Sequence, residues 1–245
     1  MARVEVVLVY QSLLGIYGDR GNATVLARRL AWRGFDAVLT VVEPGDPLPD
    51  TGHVYLLGGG EDAAQVSAVR ALRADGGLHR AVDRGAVVFA VCAGYQIVGR
   101  SFTVADGSGP GASDQVVEGL GLLDVTTTRG PVRAVGEILS RWRGRDGDDG
   151  LLSGFENHGG YTRLGPGAEP LADVESGVGN CGDGTEGAVS GTVIGTYPHG
   201  PVLARNPALA DHLLQLALRT ELAPLHRPEI DELRAQRLAA VRRAR

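Results

Sequence analysis

The stretch RGAVVFAVCAGYQIVG, residues 84–99, decides how the chain folds. Its first half, AVVFAV (86–91), is the most continuously apolar run in the sequence, as expected of a strand buried on both faces. Such strands belong to parallel sheets covered by helices. The run ends in Cys92, flanked by the small residues Ala90, Ala93 and Gly94. Small-x-Cys-x-Gly after a buried strand is the pattern of a nucleophile elbow, where small neighbours relieve the crowding of a strained strand-to-helix turn. The helix that follows aims backbone N–H groups at the sulfur, which predicts a lowered thiol pKa and a place for a developing oxyanion. An inert core thiol fits the same residues, because cysteine is among the most buried residue types.

Outward from this stretch, the first half of the chain alternates strand and helix signals. VEVVLVY (4–10), DAVLTVV (36–42) and HVYLL (53–57) read as strands. NATVLARRLAWRG (22–34), with Asn22 as its cap, DAAQVSAVRALRAD (62–75) and GLHRAVDRG (77–85) read as helices, and QSLLGIYGDRG (11–21) as a loop. This rhythm predicts an α/β fold with a mostly parallel central sheet flanked by helices, and ligand sites at the carboxyl ends of its strands. The second half offers short strands GLLDVTT (121–127), RAVGEIL (133–139) and AVSGTVIGTY (188–197) between turn-rich connections, as antiparallel additions at the sheet edge. RWRGRDGDDG (141–150) reads as a surface loop, and NPALADHLLQLALRTEL (206–222) as a helix capped by Asn206. Residues 1–245 read as a single domain, with 226–245 as a C-terminal helical tail, either solvated or facing a partner.

Composition excludes several classes. The net charge of −5 and the absence of a long basic stripe argue against nucleic-acid binding. No run approaches the roughly 20 apolar residues of a membrane span, and MARVEVVLVY enters a strand pattern directly, so the expectation is a cytoplasmic protein, not an integral membrane one. The two cysteines, Cys92 and Cys181, stand far apart in unlike contexts, which fits a reducing compartment and predicts neither a disulfide nor a metal site. All 24 basic residues are arginine. A phosphate loop ending in Gly-Lys-Ser/Thr is therefore impossible, and so is a lysine Schiff base.

A nucleophilic Cys92 needs a base. His199, in YPHGP after a strand-like run, is the best placed of the six histidines, and His158 in GFENHGG is its competitor. GGGED (58–62) is too short for a dinucleotide fingerprint. It is either a plain tight turn or a place where the Gly60 amide completes an oxyanion hole beside Cys92.

In chain order, GGG (58–60), AVCAGYQ (90–96) and YPHG (197–200) resemble the class I, or triad, glutamine amidotransferases, in the branch of cobyric acid synthase. GIYGDRGN (15–22), GLGLLDV (119–125), GFENH (154–158) and GTYPHGPVLARNP (195–207) are similar, in order, to the GatD group of glutaminase subunits of lipid II isoglutaminyl synthase. The resemblance spans essentially the whole chain. It implies that Cys92 attacks the carboxamide of L-glutamine, that His199 moves protons, and that the amides of Gly60 and Ala93 hold the oxyanion. It further implies that Gln96 contacts substrate and that Arg133, in an R-x-x-G-[DE] context, or nearby Arg129, clamps its α-carboxylate.

Two departures bear on these expectations. Ala90 and Ala93 stand where the branch carries glycines, and Pro201 stands where triad enzymes carry a glutamate two residues after the histidine. The GatD group shares the second gap, and the resemblance implies that its partner, a MurT-like subunit of the Mur ligase family, supplies the acid. It also implies no cofactor or metal in this chain, ATP and Mg on the ligase subunit, and contact with lipid II only through that partner. The alternatives are another class I amidotransferase, a γ-glutamyl hydrolase, or a non-catalytic α/β binding module.

Overall fold

A computed structural model of the chain describes residues 2–16, 18–106, 113–145, 147 and 150–243. In chain order its elements are β1 (Arg3–Val9), α1 (Gln11–Leu14), α2 (Arg20–Ala31), β2 (Asp36–Val42), β3 (Val54–Leu57), α3 (Asp62–Asp75), α4 (Gly77–Asp83), β4 (Val87–Val91) and α5 (Ala93–Val98). There follow β5 (Ser101–Asp106), β6 (Ser113–Glu118), β7 (Val125–Trp142), β8 (Leu151–Leu164), β9 (Ala172–Ser176), β10 (Thr185–Glu186), β11 (Ala188–Ser190), β12 (Val193–Thr196), α6 (Val202–Arg205), α7 (Pro207–Leu218) and α8 (Pro228–Arg243).

The strands form two sheets. The first has the order β11-β12-β4-β3-β1-β2 and is parallel except for the β11–β12 hairpin at its edge. β4 lies inside it, and all five of its residues are buried. Alternation along the strand divides them: Val88 and Ala90 join the core under α3, α4 and α5, while Val87, Phe89 and Val91 join the core under α2 and α7. A bidentate ion pair from Arg29 to Asp211, reinforced by Arg33 at 2.8 Å, ties α2 to α7 on that second face.

The second sheet has the order β10-β9-β7-β5-β6, with β8 paired to β7. The strand candidates at 121–127 and 133–139 prove to be parts of one long strand, β7, which also takes in Arg141 and Trp142 of the expected surface loop; residues 146, 148 and 149 of that loop lie outside the described residues. GFENH, within one of the stretches read as turn-rich connections, lies in β8. Within the β7–β8 pairing the register shifts between Arg129 and Ala134, around Gly130 and Pro131, where a proline has no place in a regular ladder. The mostly parallel α/β architecture holds, with most of the antiparallel strands gathered in this second sheet.

Three local expectations are corrected. The 11–21 loop contains the short helix α1. Asn22 lies inside α2, its side chain accepting the Leu203 amide at 3.0 Å. Asn206 precedes α7 but spends its side chain on both backbone groups of Ser153 in β8 and on the Val202 carbonyl. In the C-terminal tail, α8 buries Leu238 and Val241 against Leu139 and Leu151 of the β7–β8 hairpin.

Candidate active site

Cys92 occupies the turn between β4 and α5 with φ 54° and ψ −108°, a left-side conformation that costs a non-glycine residue of order 1–3 kcal/mol. Two backbone bonds hold it there. The Cys92 amide donates to Thr196 O of β12 at 2.9 Å, and the Gly94 amide donates to Gly58 O, just past β3, at 3.0 Å. A Cβ on Gly94 would lie 2.7 Å from Leu57 O, so helix and strand approach as closely as glycine allows. The alanines at 90 and 93 are buried without disturbing this turn.

The elbow opens into a cavity of about 140 Å³. Gly60, Cys92, Ala93, Gln96, Arg129 and Arg133 all line it, so the structure gathers these residues around one space. His199 is set back from that wall. It follows β12, which runs beside β4 with Thr196 level with Val91. Its amide donates to Phe155 O at 3.0 Å, and its ring meets the Phe155 ring edge-on at 6.0 Å. Cys92 and His199 thus leave the carboxyl ends of adjacent parallel strands.

Electrostatics overturn the expected lowering of the thiol. Burial pushes Cys92 up to about 12, with the charge of Asp19 and then Glu61 adding to the rise, while the Ala93 amide and Arg133 pull it down. His199 shifts below its ordinary value, through burial first and then the charges of His158, Arg133 and Arg205. Both shifts favour the neutral forms, a thiol at Cys92 and an imidazole at His199.

Arg133 sits in the β7 irregularity, with Nε donating to Asn157 Oδ1 at 2.6 Å. Arg129 is paired with Asp114 at 2.6 Å. Gln96 faces the cavity but is also part of a buried chain: its Oε1 accepts from Gln65 at 2.8 Å, and its Nε2 donates to the Tyr197 hydroxyl at 3.3 Å. His158 is stacked on Tyr197 at 3.7 Å, with Nδ1 2.8 Å from Gly160 O and Nε2 3.6 Å from Glu156. Asn157 and Tyr197 lie inside the quoted GFENH and YPHG motifs but carried no signal of their own, and Gln65 carried none.

The match to family models decides the affiliation: residues 5–207 fit the CobB/CobQ-like glutamine amidotransferase domain. The chain belongs to that family. Among curated relatives of this amidotransferase, GatD, the subunit of lipid II isoglutaminyl synthase (glutamine-hydrolyzing) from Staphylococcus aureus (strain N315), is 32% identical over 221 residues, covering 89% of this chain and 86% of that one. GatD of Streptococcus pneumoniae (strain ATCC BAA-255 / R6) is 29% identical over 97% of this chain and 89% of its own length. Cobyric acid synthase of Sphingopyxis alaskensis is 36% identical over 72% of this chain but only 34% of its own length. A solved glutamine amidotransferase superposes with a TM-score of 0.56 at 22% identity, covering 86% of this chain and 98% of that one, which establishes the shared fold. The resemblance read from the sequence motifs is thereby confirmed at the level of the family, with GatD and cobyric acid synthase among its relatives.

Proposed function

We propose that this amidotransferase is a glutaminase subunit that releases ammonia from L-glutamine for a separate ATP-dependent ligase. The observation that carries this reading is the gathering of Cys92, Ala93, Gly60 and Arg133 around one cavity, with His199 on the adjacent strand end.

The chemistry follows from that arrangement. The Arg133 guanidinium receives the α-carboxylate of glutamine and points the carboxamide toward Cys92. As Sγ bonds to the carboxamide carbon, its proton passes to His199, which is neutral at pH 7 and able to accept it. The oxyanion rests on the amides of Ala93 and Gly60. Collapse breaks the C–N bond, His199 returns the proton to the leaving nitrogen, and ammonia departs. Water, deprotonated by His199, then cleaves the γ-glutamyl thioester to glutamate and restores the thiol. Gln96 contacts substrate from the cavity floor while Gln65 and Tyr197 hold its amide in place.

The neutral Cys–His pair and Pro201 in the position of the triad acid support an enzyme that is slow alone and completed by a partner. That partner is a MurT-like subunit of the Mur ligase family, holding ATP and Mg, and amidating the D-glutamate α-carboxylate of lipid II at the cytoplasmic face of the membrane. GatD similarity along nearly the whole chain supports this reading over cobyric acid synthesis. Among the described residues no helix is long and apolar enough to cross a membrane. The test is glutamate release from glutamine by the purified chain with and without the ligase. Acceleration by the ligase supports the two-chain enzyme, and an unchanged rate contradicts it.

A further inference from the structure

Asp19, in the turn that precedes α2, is buried to 2% exposure, and α2 does not use its side chain as a cap. Its Oδ2 accepts the Gly59 amide at 3.0 Å, whereas Oδ1 is buried with no hydrogen-bond partner among the described residues. The fit is tight: a Cβ on Gly58 would collide with the Asp19 carboxyl carbon and with Leu14 O. Gly58 O in turn accepts the amide of Gly94 in α5. The Gly58–Gly59 peptide is thus gripped on one side by Asp19 and on the other by the helix that follows the nucleophile. The next residue is Gly60, whose amide is needed at the oxyanion. Glycines 18 and 21, on either side of Asp19, pack on Pro201, so this turn is wedged between the oxyanion loop and the turn carrying His199.

We propose that Asp19 is a positioning residue that holds the Gly59 amide so that Gly60 faces the reacting carbonyl. The grip needs only an acceptor at Oδ2, whereas any effect of Asp19 on the Cys92 thiol needs the negative charge. Asp19 is the leading charge among those that raise Cys92, with Glu61 acting in the same direction and Arg133 against it; Tyr197 and His199 are the other titratable groups on the adjoining strand end. Burial raises the Asp19 carboxyl itself to about 6, opposed by the Gly59 amide, so its charge is lost as the pH falls below that value.

This proposal rests on the glutaminase reading, while the nearness of Asp19 to the reacting centre is read on the Cys92 thiol itself. Asp19→Ala and Asp19→Asn are compared with the unaltered chain in glutamine hydrolysis with the ligase present, and in the pH dependence of Cys92 alkylation by iodoacetamide. Asp19→Ala is expected to lower kcat about ten- to hundredfold with KM within about twofold, and Asp19→Asn, which keeps an acceptor for Gly59, to recover kcat to within about threefold of the unaltered chain. Both lose the charge, so the alkylation midpoint moves about half a pH unit or more toward acid. Equal loss of kcat in two folded variants, or a loss confined to KM, overturns the grip. An unmoved alkylation midpoint overturns the placement of the Asp19 carboxylate beside the reacting centre. Should Asp19→Ala not fold, Asp19→Asn decides alone: retained kcat with a shifted midpoint supports the proposal, and either one missing overturns it. Failure of the unaltered chain to hydrolyse glutamine would count against the glutaminase reading, and the alkylation profile would still judge Asp19.

Discussion

The Cys92 amide donates to the Thr196 carbonyl at 2.9 Å, which fixes Cys92 level with the strand that ends three residues before His199. On its other side the elbow is fixed by Gly94 against the end of β3. Gly94→Ala places a methyl carbon 2.7 Å from Leu57 O, a backbone atom that has no rotamer to yield. The expected result is a loss of about 1–3 kcal/mol in stability together with a more than tenfold drop in kcat. Chemical denaturation and steady-state glutamate release check both.

Arg133 and Arg129 both face the cavity, and their partners separate them. Arg133 is oriented by Asn157, within the cavity wall, whereas Arg129 is held by Asp114. Arg133→Ala is therefore expected to raise KM for glutamine about ten- to a hundredfold with little change in kcat, the cost of roughly 1.5–3 kcal/mol for one charge-assisted contact. Arg129→Ala should change KM less than about threefold. The reverse order in a KM comparison would move the carboxylate clamp to Arg129.

The pH dependence of the reaction follows from His199. Its shift is downward, led by burial, so the neutral base forms at a lower pH than for a free imidazole. Activity should rise with pH along an acid limb whose midpoint lies below 6.5. The linkage has the same sign: the stability contributed by the buried neutral ring is present above 6.5 and is lost as pH falls through the folded value. A kcat/KM profile with an acid midpoint above 6.5 would contradict this assignment.

Glu186 gives the opposite sign. It is buried to 1% exposure, accepts from Thr196 Oγ1 and the Tyr197 amide, and is raised from 4.5 to about 7 by burial. A raised carboxyl favours the folded state below its unfolded value of 4.5, and that contribution is lost as pH rises through about 7. Glu186→Gln removes the titration while keeping an acceptor. Its stability relative to the unaltered chain should improve by up to about 3 kcal/mol between pH 5 and pH 8, measured by urea denaturation at both values. A gap that does not change with pH would place the Glu186 titration elsewhere.

Legibility differed between local and long-range features. The elbow was readable because a buried strand, a small-residue turn and a helix start are written in consecutive residues. β8 was missed because GFENHGG carries three glycines and polar side chains that read as loop, while its strand character comes from pairing with β7. β7 was divided in two because Pro131 signals an end, and the tertiary structure absorbs that proline in a register shift. Asn22 and Asn206 were read as caps, yet both bond across elements, to Leu203 and to Ser153. The thiol shift was misread for a related reason. The helix N-terminus is local to the sequence, whereas the burial and the Asp19 charge that outweigh it come from segments distant in the chain.

The proposed reaction turns on Cys92 as the nucleophile that cleaves glutamine. Mass spectrometry of the chain after exposure to an electrophilic glutamine analogue, paired with glutamate release by Cys92→Ala in the presence of the ligase, tests it most directly. One covalent adduct on Cys92, none on Cys181, and loss of turnover in the variant are predicted. Glutamate release that persists in a folded Cys92→Ala chain would contradict the account.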